Sequence, residues 1–275
     1  MNYQDKLKKH LADYKRRHLG INESGVFLYR GREVRRDHIL PLAEAHRNLL
    51  EEAEPRGRAF LAKYPHKRHR YFHHLNSSQA FAFNLFLPYF DGGPDAASAL
   101  LRALGQEGVF AKCELEAVPV LDEGSNIDMI WTTEDGVQTF CEVKLSEADF
   151  GKAADDPRHR TKLKDTYAPA LVAHLEPQRL GALAFFDGYQ FNRNVWHMVS
   201  EDRNRLIFLL PRENAVLWSL LQESLLGVLP RTRERISVVA IEDAITKLCL
   251  DDRCPKNLRE YANKLKQKYL IESAA

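Results

Sequence analysis

Apolar and polar residues recur with two different periods along this chain, and each period predicts its own kind of element. Over residues 3–18 (YQDKLKKHLADYKRRH) apolar positions return at helical spacing against a heavily basic face, which predicts a short amphipathic helix. Gly20 and Gly25 interrupt it, and the stretches 26–29 and 33–34 on either side of Gly31 predict a small hairpin. Pro41 opens a helix expected over 42–55 (LAEAHRNLLEEAEP), because its fixed φ suits a first turn. A further helix is expected from Arg56 to about Tyr64. Ser77 and Ser78 are N-cap residues for a helix from Gln79 to about Leu87. That helix is apolar nearly all round (AFAFNLFL), hence buried, and Pro88 with the DGGP stretch is expected to end it. Another helix follows over 95–104.

From residue 111 the period shortens to two. Over 111–120, Cys113, Leu115 and Ala117 fall on one face and Glu114, Glu116 and Val118 on the other. Strands are expected over 126–132 and 137–145, joined by a turn at Glu134–Gly136. Residues 146–164 are polar and loop-like. Helices are expected over 166–174 and 177–200, a buried strand over 206–210, a helix over 215–227, a strand over 236–241 and a basic helix over 256–271. From residue 77 onward the order is helix, three strands, helix, strand. It predicts an α/β fold with a mixed central sheet covered on both faces. A basic, mostly helical region (1–75) is expected to precede this core (76–275).

Composition changes the picture little. With 275 residues, 44% hydrophobic and 28% charged, the chain is an ordinary globular one rather than disordered or disulfide-built. No apolar run approaches the roughly 18 residues of a membrane span, so no membrane partner is expected. The N-terminus, MNYQDKLKKH, is charged where a leader peptide is apolar. Cys113, Cys141, Cys249 and Cys254 form no CxxC pair, which speaks against a zinc ribbon and for a reduced, cytoplasmic setting. Charge distribution says more than the net charge of +2. Residues 1–75 carry 17 Lys/Arg against 9 Asp/Glu and eight of the 11 histidines, whereas the remainder is mildly acidic. A basic segment joined to an acidic body suits a phosphate-contacting surface beside an acidic site. Arg68, Arg70, Tyr71 and His73, in the basic and aromatic run YPHKRHRYFHHL, are the candidates for nucleic-acid contact. The spacing of His66, His69, His73 and His74 fits a basic surface better than a zinc site.

The informative stretch is SNIDMIWTTEDGVQTFCEVKLSE (125–147). Strand periodicity over 137–145 puts Gln138, Phe140, Glu142 and Lys144 on one face. Asp128 lies in the preceding strand between apolar neighbours, and the short turn makes the two strands antiparallel. With matching register, Asp128 faces Glu142 across the ladder. A Glu-x-Lys triplet alone is common and is usually a surface ion pair worth about 0–1 kcal/mol. Here the pair sits in an otherwise apolar strand, beside an equally sheltered aspartate. Two carboxylates brought together in a buried sheet repel and resist ionisation. A divalent cation resolves the conflict, and hard oxygen donors favour Mg²⁺, with Mn²⁺ as a substitute. Lys144 could orient a metal-activated water and stabilise charge on a phosphorane-like transition state.

These residues resemble the PD-(D/E)XK nuclease superfamily, with Asp128 matching its metal-binding Asp and Glu142-Val143-Lys144 its (D/E)-x-K signature. Within it the chain is most similar to a group of bacterial restriction endonucleases. The segments that carry this are LNSSQAFAFNLF (75–86), EVKLSEADFG (142–151) and YQFNRNVWH (189–197). Asn126 and Ile127 stand where the Pro of the motif would be. The resemblance implies an αβββαβ restriction-endonuclease-like core and a metal-dependent endonuclease that hydrolyses DNA phosphodiester bonds, in a restriction or defence role. It implies a further acid near the metal. The first core helix offers Gln79 in that place, leaving Glu114 or Glu116 as the supplier. It also implies a glutamine on the helix after the motif strand, matched by Gln190, with Arg193 and Asn194 about one turn on; Arg193 joins the expected nucleic-acid contacts. Glu147 could support Lys144. DNA is the expected partner, and a symmetric homodimer is compatible with specific cutting. The competing reading is a nucleic-acid-binding protein that keeps the nuclease-like fold without catalysis.

Overall fold

The computed structural model describes residues 1–271. The chain runs through α1 (Tyr3–His18), the hairpin β1 (Gly25–Tyr29) and β2 (Arg32–Arg36), then α2 (Glu54–Lys63), α3 (Ser78–Asp91) and α4 (Pro94–Ala103). Three strands follow, β3 (Phe110–Ala117), β4 (Ile127–Thr133) and β5 (Gln138–Val143). Next come α5 (Pro157–Lys162), α6 (Ala168–Leu171), α7 (Ala182–Asp187) and α8 (Tyr189–Met198). The chain continues with β6 (Arg205–Leu210), α9 (Ala215–Leu226), α10 (Pro230–Arg233), β7 (Ile236–Ala240), α11 (Ile241–Leu250) and α12 (Lys256–Tyr269). None of the described helices is long and apolar enough to cross a membrane. All four cysteines are free: Cys141 and Cys254 are buried, Cys113 and Cys249 half-buried.

The elements form two compact units. One comprises Met1–Phe110 and the chain from Ala240 onward, the other Ala111–Val239. The expected boundary at residue 75 is therefore displaced: the first 75 residues fold with α3, α4, α11 and α12 rather than apart from them. Apolar positions on α3 fall on every face, so its neighbours must surround it; α2, α4 and α12 do so.

In this first unit Ser77 caps α3 by accepting from the Ala80 N–H, as its sequence position predicts. Pro88 does not end the helix, which runs on to Asp91. A proline inside a helix leaves the carbonyl four residues earlier without its N–H. Here that carbonyl, on Asn84, accepts from the Tyr261 hydroxyl at 2.6 Å, so α12 supplies the bond that α3 cannot. The helix expected over 42–55 is likewise revised. A 3₁₀ segment covers Leu42–Asn48, the backbone becomes extended at Leu49, and α2 begins at Glu54. Buried Asn48 breaks it by bonding sideways. Its amide donates to the Phe72 and His74 carbonyls at 2.7 Å each, and its carbonyl accepts from Asn84 and Lys268. Among the described residues no carboxylate pairs with the wholly buried Lys268, and burial pushes its pKa down to about 7.

The second unit is α/β, built on a five-stranded sheet in the order β3-β4-β5-β6-β7. It is mixed: β4 and β5 are antiparallel, β5 and β6 parallel. The helical passage α5–α8 supplies the long crossover that a parallel pair requires. Leu206 through Leu210 of β6 are wholly buried, as expected for a strand covered on both faces. Residues 146–164 are less loop-like than expected: Asp156 caps α5, and a π-helical turn at Leu163–Tyr167 carries it into α6. The helix expected over 177–200 is broken at Gly181 and Gly188. A Cβ on Gly188 would stand 3.0 Å from the Arg179 guanidinium, so the break lets that side chain lie against the backbone.

Tyr261→Phe is expected to cost about 1–3 kcal/mol in urea unfolding, because it strands the buried Asn84 carbonyl. Combining it with Pro88→Ala, which restores an N–H beneath that carbonyl, should shrink the cost. Equal costs in both backgrounds would contradict the assignment.

Candidate active site

Register brings the first two side chains together. Met129 pairs with Cys141 and Ile130 with Phe140, so the next step of the antiparallel ladder sets Asp128 opposite Glu142 on one face. Strand β5 ends at Val143, one residue earlier than needed to include Lys144. The Lys144 N–H still donates to the Leu209 carbonyl at 2.9 Å, so the parallel pairing with β6 carries it into place. Its Nζ turns back to lie 2.9 Å from Glu142 Oε1. Asp128, Glu142 and Lys144 therefore meet as the alternation predicts.

Helix α8 covers this face. Gln190 and Asn194, one turn apart, both reach Glu142. Gln190 Nε2 donates to Glu142 Oε1 at 2.6 Å, and Asn194 Nδ2 donates to Oε2 at 2.9 Å. Lys144 Nζ in turn donates to Gln190 Oε1 at 2.7 Å. Glu142, Lys144 and Gln190 thus close a three-membered ring of charge-assisted bonds. The loop after β5 approaches closely enough to complete it. Gly151, at φ +68°, accepts through its carbonyl from the Gln190 N–H, and a Cβ there would stand 3.1 Å from Gln190 Oε1. Glu147 accepts from the Leu145 and Ser146 N–H groups at 2.7 and 2.8 Å, fixing the turn that follows Lys144.

Electrostatics follow from burial. Asp128 is half-buried as a residue, but its carboxyl lies deep among protein atoms, with Oδ2 accepting from the Val143 N–H at 2.8 Å. Desolvation, then the Glu142 and Glu116 charges, push its pKa well above the ordinary carboxylate range. Burial alone would lower Lys144. The carboxylates of Glu142, Glu147 and Asp128 outweigh it and hold the ammonium above its ordinary pKa.

Of the two candidate extra acids, Glu114 is exposed and Glu116 is buried. Glu116 sits at φ +47°, a left-handed conformation costly for a side-chain-bearing residue, and this kink breaks the inside–outside alternation of β3. Its Oε2 accepts from Asn126 Nδ2 at 3.3 Å. Arg193 is half-buried, donating to the Asn126 carbonyl at 3.2 Å with its guanidinium 5.9 Å from the Tyr189 ring. The sequence places Asn194 one turn from Gln190 but assigns it no partner; its bond to Glu142 emerges only in the structure. A neighbouring network also escaped the sequence reading. Glu123, buried, accepts from Tyr167 at 2.6 Å and from the Ser125 N–H at 3.0 Å, with His197 and Lys162 each 3.7 Å away. These bonds hold its carboxyl well below the ordinary range despite burial.

The remaining expected contacts lie in the first unit. Arg68, Arg70 and Tyr71 are exposed. His73 is not: it is 6% exposed, its ring lies 3.2 Å from the Val26 carbonyl, and burial lowers its pKa. It serves the packing of the hairpin rather than a nucleic-acid surface. Gln79 is also internal, bridging the Lys67 carbonyl and the His69 N–H.

Over residues 8–270 the chain matches the family model described as restriction endonuclease associating with ARP. The protein belongs to this family. No curated protein and no solved structure matches it. Among the described residues, no three His, Cys, Asp or Glu side chains converge as a ready-made metal cage. The donor chemistry nevertheless fits a hard cation. Asp128 and Glu142 are oxygen donors whose mutual repulsion a cation would relieve, Glu116 adds a third charge, and Mg²⁺ commonly uses few protein carboxylates and keeps several waters.

Asp128 generates a pH prediction. Its raised folded pKa means that its contribution to stability is present below the ordinary carboxylate range and lost as pH climbs through the folded value. In EDTA, Asp128→Asn should therefore gain stability relative to wild type as pH rises from about 4 upward. A difference that stays constant with pH would refute the shift. Asn194→Ala, which strands a buried carboxylate oxygen, should cost about 1–3 kcal/mol in the same assay.

Proposed function

We propose that this restriction-endonuclease-family protein is a metal-dependent DNA endonuclease of the PD-(D/E)XK type. The observation that carries the reading is the Glu142–Lys144–Gln190 ring with Asp128 opposite it on the adjacent strand. A structural ion pair does not require a buried second carboxylate against the first. Asp128 and Glu142 would hold Mg²⁺ or Mn²⁺, with Glu116 as the third acid. When bound, the cation would neutralise charge at the scissile phosphate and ease loss of a proton from the attacking water.

The chain's own groups do the rest. Lys144, held cationic, directs the water and stabilises the negative charge that builds on phosphorus as the new P–O bond forms and the P–O bond to the leaving sugar breaks. Gln190 keeps the Lys144 ammonium and the Glu142 carboxylate in fixed relation. Asn194 holds the second Glu142 oxygen, so that the carboxylate cannot rotate away. Two copies related by a two-fold axis would present such a site to each strand of a duplex.

Supercoiled plasmid with Mg²⁺ or Mn²⁺ tests this reading. Wild type should nick it, EDTA should abolish nicking, and Lys144→Ala should slow it about 10²–10³-fold. Asp128→Asn should be inactive. Retardation of the plasmid without cutting would overturn the nuclease reading in favour of a binding protein with a nuclease-like fold.

A further inference from the structure

The β1–β2 hairpin is more basic and more exposed than its packing requires. The segment 25–36 (GVFLYRGREVRR) holds four arginines and one glutamate. Strand register puts Phe27, Tyr29, Arg32 and Val34 on one face, with Phe27 paired to Val34 and Tyr29 to Arg32. The connection is a two-residue loop, Arg30–Gly31, with φ +49° and +78°. Both positive values are the signature of a type I′ turn, whose twist matches that of the strands and makes a firm tip.

Phe27 anchors the hairpin, edge-on to Tyr71 at 6.0 Å and to His74 at 5.1 Å. Beyond that anchor the surface stays open: Tyr29 is 53% exposed, Leu28 51% and Tyr71 41%. Arginine lies on the open aromatics. The Arg30 guanidinium is 5.4 Å from the Tyr29 ring centre, and that of Arg70 is 5.3 Å from the Tyr71 ring centre. Arg70 also donates to the Leu28 carbonyl at 3.2 Å, tying the connector to the hairpin.

No ion pair among the described residues involves Arg30, Arg32, Arg35, Arg68 or Arg70. Elsewhere in the same unit most arginines have a carboxylate partner, among them Arg56 with Asp91, Arg58 with Glu54 and Arg102 with Asp251. Arginines clustered without counter-charges repel one another in the folded state, so the patch fits a polyanionic partner. A two-stranded ribbon is the size that a duplex groove admits.

We infer that the β1–β2 hairpin, with Arg70 and Tyr71 at its base, is a duplex-DNA-binding arm. Arg30, Arg32 and Arg70 contact phosphates, and Tyr29 rides at the groove edge. The inference rests on the nuclease reading only for the identity of the polyanion; binding itself needs no catalysis.

The test uses the full chain carrying Lys144→Ala, in EDTA, with a fluorescent mixed-sequence duplex titrated across a range of salt. Replacing Arg30, Arg32 and Arg70 together by alanine should weaken binding about 10–100-fold and flatten the log–log salt slope by about 2–3, one unit per lost phosphate contact. Arg30→Glu, a single change at the open tip, should weaken binding with no change in unfolding midpoint, which guards against a triple variant that fails to fold. An unlabelled single strand of equal length should compete at least tenfold less well than the duplex. Unchanged affinity and slope in both variants would overturn the inference, as would equal competition by the single strand. Loss of binding in the variants while wild type never cuts would uphold the arm and sink the nuclease reading. Metal-dependent cutting with variant binding intact would do the reverse.

Discussion

Placing a carboxylate where water cannot reach it is the constraint on which the second unit turns. Glu142 is 2% exposed and has both oxygens committed, one to Lys144 and Gln190, the other to Asn194. An unpaired charge at that depth would be very costly, so each donor has to arrive from a fixed direction. Lys144 arrives because β5 continues its pairing with β6 past the last strand residue. Gln190 and Asn194 arrive because α8 begins at Gly188 and presents both on one face. Gly151 is bare because the loop has to touch Gln190. Much of the local architecture can be understood as the means of bringing three donors to one carboxylate.

Asp128 is the exception that gives the arrangement its chemistry. It adds a second acid to a site whose cationic charge is already engaged, and burial with its two acidic neighbours drives its pKa upward. Evolved cores seldom keep such a conflict unless something relieves it. Glu116 compounds it by adopting a left-handed backbone to stay inside. Strain and repulsion are thus concentrated at one spot, and the proposed cation is what would relieve them.

The first unit solves a different problem with similar means. Its helices leave polar groups inside: Asn48, Asn84, Lys15 and Lys268 are all buried. They are satisfied across the packing rather than along the chain. Asn84 joins the 3₁₀ segment to α12, and Lys15 donates to the Glu23 and Ile39 carbonyls at 2.6 and 3.0 Å. This explains why local propensity misjudged the region. A proline that should stop α3 is tolerated because Tyr261 lies over the orphaned carbonyl, and an apparently continuous helix over 42–55 is interrupted because Asn48 has partners far away in sequence.

The sequence by itself determined what short-range periodicity can determine. It set the hairpin around Gly31, the capped α3, the strands β4 and β5, and the placement of Asp128, Glu142 and Lys144 on one face, since a two-residue period and a tight turn leave little freedom. It could not choose between Glu114 and Glu116, because a single left-handed residue inverts the alternation and no local pattern announces it. It could not give Asn194 a partner, bury His73, or divide the chain after Phe110 and before Ala240, because those outcomes depend on which surfaces meet once the chain has closed on itself. Side-chain period is a property of neighbours in sequence. Burial, and the charge shifts that follow from it, belong to neighbours in space.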